Sequence, residues 1–142
     1  MDKHYYFMSI AVAVSRAATC RRASVGAVLV KDGCIVSTGY NGAPKGEPHC
    51  TDVGCEMEHD HCIRCVHAEA NALIQAGTIG VSTEGVTLYT TTHPCRNCMG
   101  LIINAGIEDI VYLTPYSSKW QPPAGIGFLQ LDKSELERKE KT

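Results

Sequence analysis

Apolar positions near the start of the chain recur with helical spacing. Tyr6, Ile10, Ala13 and Ala17 share one face with Phe7 and Val14 beside it, which predicts an amphipathic helix over 4–18. A nearly continuous apolar run from Val25 to Lys31, the pair Asp32-Gly33 and a β-prone return from Cys34 to Thr38 predict a hairpin. Residues 39–48 are rich in glycine and proline, and 50–65 continue without periodicity. A stretch that long is unexpected in a small domain unless something other than an apolar core organises it. Helical spacing resumes over 67–76, with Ala70, Leu73 and Ile74 for packing and Gly77 as the stop. A strand over 86–91, a helix over 95–105 opened by Pro94 and stopped by Gly106, and a strand over 110–113 follow. Strands alternating with helices imply an α/β architecture with helices packed on a sheet. Residues 116–127 read as loop, and 117–142 as a whole as an irregular, charged tail with room for a short helix near its end.

Composition narrows the class. The 142 residues suit one domain over 1–142, and 44 % hydrophobic against 20 % charged residues excludes general disorder. Thirteen Lys and Arg against fifteen Asp and Glu leave a net charge of −2, which argues against a nucleic-acid binder. Aromatic residues make up 6 %, too few for a platform that stacks several bases. No run approaches the roughly 18 apolar residues of a membrane span, and the N-terminus lacks the pattern of a secretion signal. Eight cysteines in such a chain point to a reducing cytoplasm, where cysteines clustered with histidines signal metal before disulfides.

His67-Ala68-Glu69 and, downstream, Pro94-Cys95-Arg96-Asn97-Cys98 carry the chemistry. Cys95 and Cys98 are three apart at a helix start, so their sulfurs share a face, and the positive end of the helix favours thiolates. With His67 as third ligand they leave one tetrahedral position open, as a catalytic zinc requires. Two thiolates and a neutral imidazole cancel the zinc charge, so such an ion acidifies water less than a three-histidine site does. A nearby carboxylate makes up the difference. Glu69 is poorly placed to chelate beside His67 and well placed to take the proton and return it to the base ring and the departing amine. Histidine-x-glutamate with a later Pro-Cys-x-x-Cys is the pattern of the zinc deaminases, in which water adds at C4 of cytosine and ammonia leaves.

The order Val25-Gly26-Ala27-Val28, Gly39-Tyr40-Asn41-Gly42-Ala43-Pro44, His67-Ala68-Glu69-Ala70-Asn71-Ala72 and Pro94-Cys95-Arg96-Asn97-Cys98 resembles the deoxycytidylate (dCMP) deaminases of bacteria and phages. The resemblance runs from about residue 4 to about residue 116. It implies a single-domain cytidine-deaminase-like α/β fold, a mixed sheet of about five strands flanked by helices on both faces. It implies zinc-dependent hydrolysis of dCMP to dUMP and ammonia, feeding dTMP synthesis, in the cytoplasm of a bacterial cell or, for a phage-encoded enzyme, of its host. A homohexamer regulated by dCTP and dTTP belongs to the same expectation. By position, Asn41 resembles a substrate contact, and Tyr116 the tyrosine that lines the nucleotide site.

Cys20, Cys50, Cys55, Cys62 and Cys65 lie in or beside the irregular stretch, with His49, His59 and His61 among them. That density predicts a second, structural zinc, and related deaminases carry one in this region with cysteines like Cys20 and Cys50. The expected ligands are Cys20, Cys50, Cys55 and Cys62, with Cys65 and His61 as substitutes and Arg21, Arg22 and Arg64 to offset the thiolate charge. Cys34, in the hairpin, reads as a small buried residue. Arg22, Ser24, Lys45 and Lys119 are candidates for the substrate phosphate. The rival readings are a deaminase that uses dCTP, a tRNA adenosine deaminase, and a zinc module without activity. The −2 charge, the GYNG loop and the second cysteine cluster weigh against the tRNA reading, and the intact Glu69 against the inactive one.

Overall fold

The computed structural model describes residues 2–20, 23–54, 57–58, 61–62, 64–116, 121 and 124–141, with 57, 58, 61 and 62 described as backbone alone. The elements run α1 (Lys3–Ser15), β1 (Gly26–Lys31), β2 (Cys34–Tyr40), α2 (Cys50–Val53), β3 (Met57–Glu58), β4 (His61–Cys62), α3 (Ala68–Ile79), β5 (Thr87–Thr92), α4 (Arg96–Asn104), β6 (Asp109–Thr114), β7 (Gly127–Gln130) and α5 (Lys133–Glu140). Five strands form one mixed sheet in the order β2-β1-β5-β6-β7, and β3 pairs with β4 in a separate ribbon. β1 runs antiparallel to both β2 and β5, whereas β5, β6 and β7 run parallel.

Alternation along the strands divides the core in two. Ala27, Leu29, Leu88 and Ile110 point to the face covered by α3 and α4, where they meet Ala68, Ala72, Ala76, Met99 and Ile102. Val28, Val30, Tyr89, Val111 and Leu113 point to the opposite face, covered by α1 and α5 through Phe7, Met8, Ala11 and Leu136. Helices on both sides of a five-stranded mixed sheet match the expected architecture. Among the described residues no helix is long and apolar enough to cross a membrane.

The Asp32-Gly33 turn has φ of 50° and 78° at its two central residues, the mirror-image turn that this pair favours in a two-residue hairpin. Four other expectations need correction. The buried side of α1 is Phe7, Met8 and Ala11, while Tyr6 is exposed. Residues 10–14 are all apolar, so periodicity could not single out a face; the seat is set by Gly26, whose missing Cβ lets α1 come down onto β1 at Ala11 and Ser15. α3 does not stop at Gly77 but runs to Ile79. It ends at Gly80 with φ 77°, where Val81 N–H donates to Ala76 O and Gly80 N–H to Gly77 O, satisfying the last carbonyls. Residues 117–142 are not simply an irregular tail, since β7 adds to the sheet beside β6 and α5 packs Leu136 into the second core. Cys34, finally, is exposed, because the first residues of edge strand β2 stand clear of both cores.

Candidate active site

The sheet topology collects the candidate residues at one end. The C-terminal end of β2 (Tyr40) pairs with the first residue of β1 (Gly26), Ala27 pairs with Thr90 near the C-terminal end of β5, and Thr92 pairs with Thr114 at the end of β6. Asn41 follows β2, Ser24 precedes β1, Cys95 follows β5 and Tyr116 follows β6, so all four leave the sheet on the same side. Ligand sites form at this kind of end, where parallel strands hand over to helix N-termini.

α3 is pinned to that end by three contacts. Ser37 Oγ donates to Ala72 O at 2.8 Å, Asn71 Nδ2 donates to Tyr40 O at 2.8 Å, and Gly39 lies so near the helix that a Cβ there would sit 2.4 Å from Ala68 O. Gly42 and Val66 exchange both backbone hydrogen bonds, at 3.1 and 2.8 Å, which delivers His67 to the start of the helix. His67 is the N-cap of α3, and Cys95, after Pro94, is the N-cap of α4.

His67 Nδ1 stands 3.4 Å from Cys95 Sγ and 3.4 Å from Cys98 Sγ. The three donor atoms lie within 4.8 Å of one another. A tetrahedral zinc with its usual bond lengths spaces a sulfur and a nitrogen ligand by about 3.6 Å. The donor set therefore fits zinc in chemistry and in spacing, with Nδ1 as the imidazole atom turned to the metal position. The charges agree. A hydrogen bond from the Cys98 thiol, joined by one with His67 and opposed by burial, holds Cys95 down to about 3. Cys98 is pushed up because losing its proton would set a second thiolate beside Cys95. His67 is raised, first by its hydrogen bond with Cys95, against the opposing effect of burial. A site that settles anionic sulfur beside imidazole without a divalent cation gains more when one binds.

Glu69 is 4 % exposed, in the first turn of α3 and against this triad, close enough that its interaction with the Cys98 thiol raises that thiol further. Burial raises the Glu69 carboxyl, and a hydrogen bond from Thr90 opposes the rise. A carboxyl poised upward from the usual range, beside a metal position with three protein donors, suits proton transfer to and from a bound molecule.

The substrate candidates differ in their surroundings. Asn41 is buried, and its side chain clamps the segment before β1: Nδ2 donates to Ala23 O and Oδ1 accepts from Val25 N–H, both at 2.7 Å. Each of those atoms keeps one further hydrogen-bonding position. Ser24, Lys45 and Tyr116 are exposed. Arg22 and Lys119 lie outside the described residues.

Cys20, Cys50 and Cys65 form a second group whose sulfurs lie within 4.8 Å, with Cys50 Sγ and Cys65 Sγ 3.1 Å apart. Cys65, only a substitute on the sequence pattern, is thus brought to Cys20 and Cys50. Cys55 lies outside the described residues; Cys62 and His61 are described as backbone in β4, and their side chains lie outside the description. The group is tied to the Asn41 loop by Thr19 N–H donating to Asn41 O and Thr51 N–H donating to Thr19 O, both at 3.1 Å. One neighbour of Glu69 escaped the sequence pattern. Thr90 shares a strand face with Leu88, and a hydroxyl at a core position needs a partner, which was the available signal.

Residues 1–114 match the family model described as the cytidine and deoxycytidylate deaminase zinc-binding region. The chain is 40 % identical over 136 residues to ComE operon protein 2 of Bacillus subtilis, covering 92 % of this chain and 72 % of that protein. It is 42 % identical to the deoxycytidylate deaminase of Mycobacterium phage D29, covering 78 % of this chain and 94 % of the phage protein. It spans only 37 % of the length of the Schizosaccharomyces pombe deoxycytidylate deaminase, at 38 % identity. Among solved structures, the dCMP deaminase of cyanophage S-TIM5 in complex with dCMP and dUMP superposes with a TM-score of 0.78 at 30 % identity, over 89 % of this chain and 94 % of that one.

Proposed function

The chain belongs to the cytidine and deoxycytidylate deaminase family, and on that premise we propose that it hydrolyses dCMP to dUMP and ammonia. The observation that carries the reading is the convergence of His67, Cys95 and Cys98 donors with the buried Glu69 at one end of the sheet. Zinc held there by these three residues supplies a Lewis acid that makes water nucleophilic. Glu69 would receive the water's proton and pass it to the ring nitrogen, then take the proton of the hydroxyl added at C4 and pass it to the amine, which leaves as ammonia. Asn41 keeps the wall formed by 23–25 in place and presents its remaining hydrogen-bonding positions to the nucleotide. Tyr116 and Ser24 are the further nucleotide contacts in this reading, and Arg22, outside the described residues, is the cation assigned to the phosphate.

Deoxycytidylate is the substrate named for the phage relatives that this chain covers most fully. That supports the monophosphate over dCTP. The tRNA adenosine deaminase neighbour, at 22 % identity, shares the fold alone. A panel of dCMP, dCTP, cytidine and RNA tests the reading. Ammonia release is expected to be fastest from dCMP, and faster release from dCTP or RNA would overturn the assignment.

The second cluster is read as a structural zinc site built on Cys20, Cys50 and Cys65, with the fourth donor from the 55–62 segment. Three sulfurs in this compass match three corners of a tetrahedron. Zinc analysis is expected to give about two ions per chain, and Cys50→Ser about one; about one ion in the unaltered protein would remove the second site. A homohexamer in a bacterial cytoplasm, responsive to dCTP and dTTP and supplying dUMP for dTMP synthesis, completes the proposal.

A further inference from the structure

Thr90 is fully buried in β5, and its Oγ1 lies 2.9 Å from Glu69 Oε1. The same oxygen lies 2.9 Å from Thr92 O. A hydroxyl carries one hydrogen, so it serves one of these acceptors at a time, and the charged carboxylate is the stronger. We propose that Thr90 is a positioning residue for the reaction: by donating to Oε1 it fixes the Glu69 carboxyl, so that Oε2 alone carries the proton between water and the pyrimidine. This rests on the reading of Glu69 as the proton carrier.

Three features support a positioning role over mere filling of the core. Glu69 sits on α3 and Thr90 on β5, so the contact joins the helix that bears one metal donor to the strand that leads into the other two. Thr90 belongs to the strand face that packs against α3 and α4, where apolar residues fill the neighbouring positions, so packing alone would be met by valine. A carboxyl free to rotate would spend part of its time with neither oxygen aligned, and proton transfer is sensitive to such loss of alignment.

The test compares Thr90→Val with Thr90→Ser in the zinc-loaded enzyme, reading kcat, KM for dCMP, zinc content and Tm. Thr90→Val, which keeps the shape and removes the hydroxyl, is expected to lower kcat on the order of tenfold. KM should stay within about twofold and zinc content should not change, because neither the nucleotide nor the metal donors are touched. Thr90→Ser restores the hydroxyl and is expected to recover most of the kcat. Wild-type kcat in Thr90→Val, or equal loss in the valine and serine variants, would overturn the proposal. Should the valine variant not fold, Thr90→Ala against Thr90→Ser poses the same question, since those two differ by the hydroxyl alone. Glu69→Gln in the same assay separates the two levels. If it turns over normally, the reading of Glu69 fails; if it is inactive while Thr90→Val is unimpaired, only the role of Thr90 fails.

Discussion

Glu69→Gln is expected to lower the turnover of dCMP by about 10²–10⁴-fold while the protein keeps its zinc. Glutamine preserves the length of the side chain and an acceptor for the Thr90 hydroxyl, so the buried contact survives. What it loses is the ability to take up a proton and return it. His67, Cys95 and Cys98 are the group that could hold the metal here, so the substitution removes none of these donors. Stability moves in the opposite direction from activity. Burial raises the Glu69 pKa above that of an unfolded carboxyl, so the ionised form costs folding free energy once pH exceeds the ordinary carboxylate range. Glutamine carries no charge to bury, and Tm at neutral pH is expected to be no lower than in the unaltered protein. A variant that stays folded and zinc-bound but loses turnover separates a proton carrier from a structural residue. Retained turnover with zinc bound would remove Glu69 from the mechanism.

The site was largely readable from the chain because its donors are local in sequence. His67 and Glu69 open one helix, Cys95 and Cys98 open another, and helix geometry fixes each pair without knowledge of the rest. Joining the two pairs needs the sheet: β5 leads into α4, and the β2 end receives α3 through Ser37, Gly39 and Asn71. The second cluster was readable as a density of cysteines but not as a ligand set. Cys65 is brought beside Cys20 and Cys50 by the pairing of Val66 with Gly42, a contact between segments far apart in sequence that periodicity does not report. Gly77 was misleading for a different reason. A glycine in a helix costs about 1 kcal/mol relative to alanine, and the stop at Gly80, where two N–H groups reach the last carbonyls, outweighs it. β7 has one aromatic and one leucine in four residues and exists because the edge of β6 is there to pair with. Thr90 offered only the signal of a hydroxyl at a core position, because its meaning depends on the carboxyl across from it.

Gly39→Ala is expected to damage the site without touching any metal donor. A Cβ at residue 39 would lie 2.4 Å from Ala68 O and 2.4 Å from Ala72 N, both backbone atoms of α3 that no rotamer change can move aside. Ordinary contact begins at 3.4 Å, so the helix must retreat by about 1 Å, or β2 must bend away from it. Overpacking of this kind costs about 1–3 kcal/mol or more. The helix carries His67 at its N-cap and Glu69 in its first turn, so the retreat pulls both from Cys95 and Cys98. A misplacement of about 1 Å can cost about 10²-fold in rate. Gly39→Ala is therefore expected to show a lower Tm, at least that loss in kcat, and weaker zinc retention under chelator. Gly77→Ala is the control within the same helix. No heavy atom lies within 4 Å of a Cβ built there, and its φ is not in the left-handed region. That variant is expected to gain about 0.5–1 kcal/mol of stability with kcat unchanged. Opposite shifts in Tm from the same chemical change at two glycines, with activity lost only at residue 39, would trace the site's geometry to the close seating of α3 on β2. Equal behaviour of the two variants would mean that the helix position does not govern the chemistry.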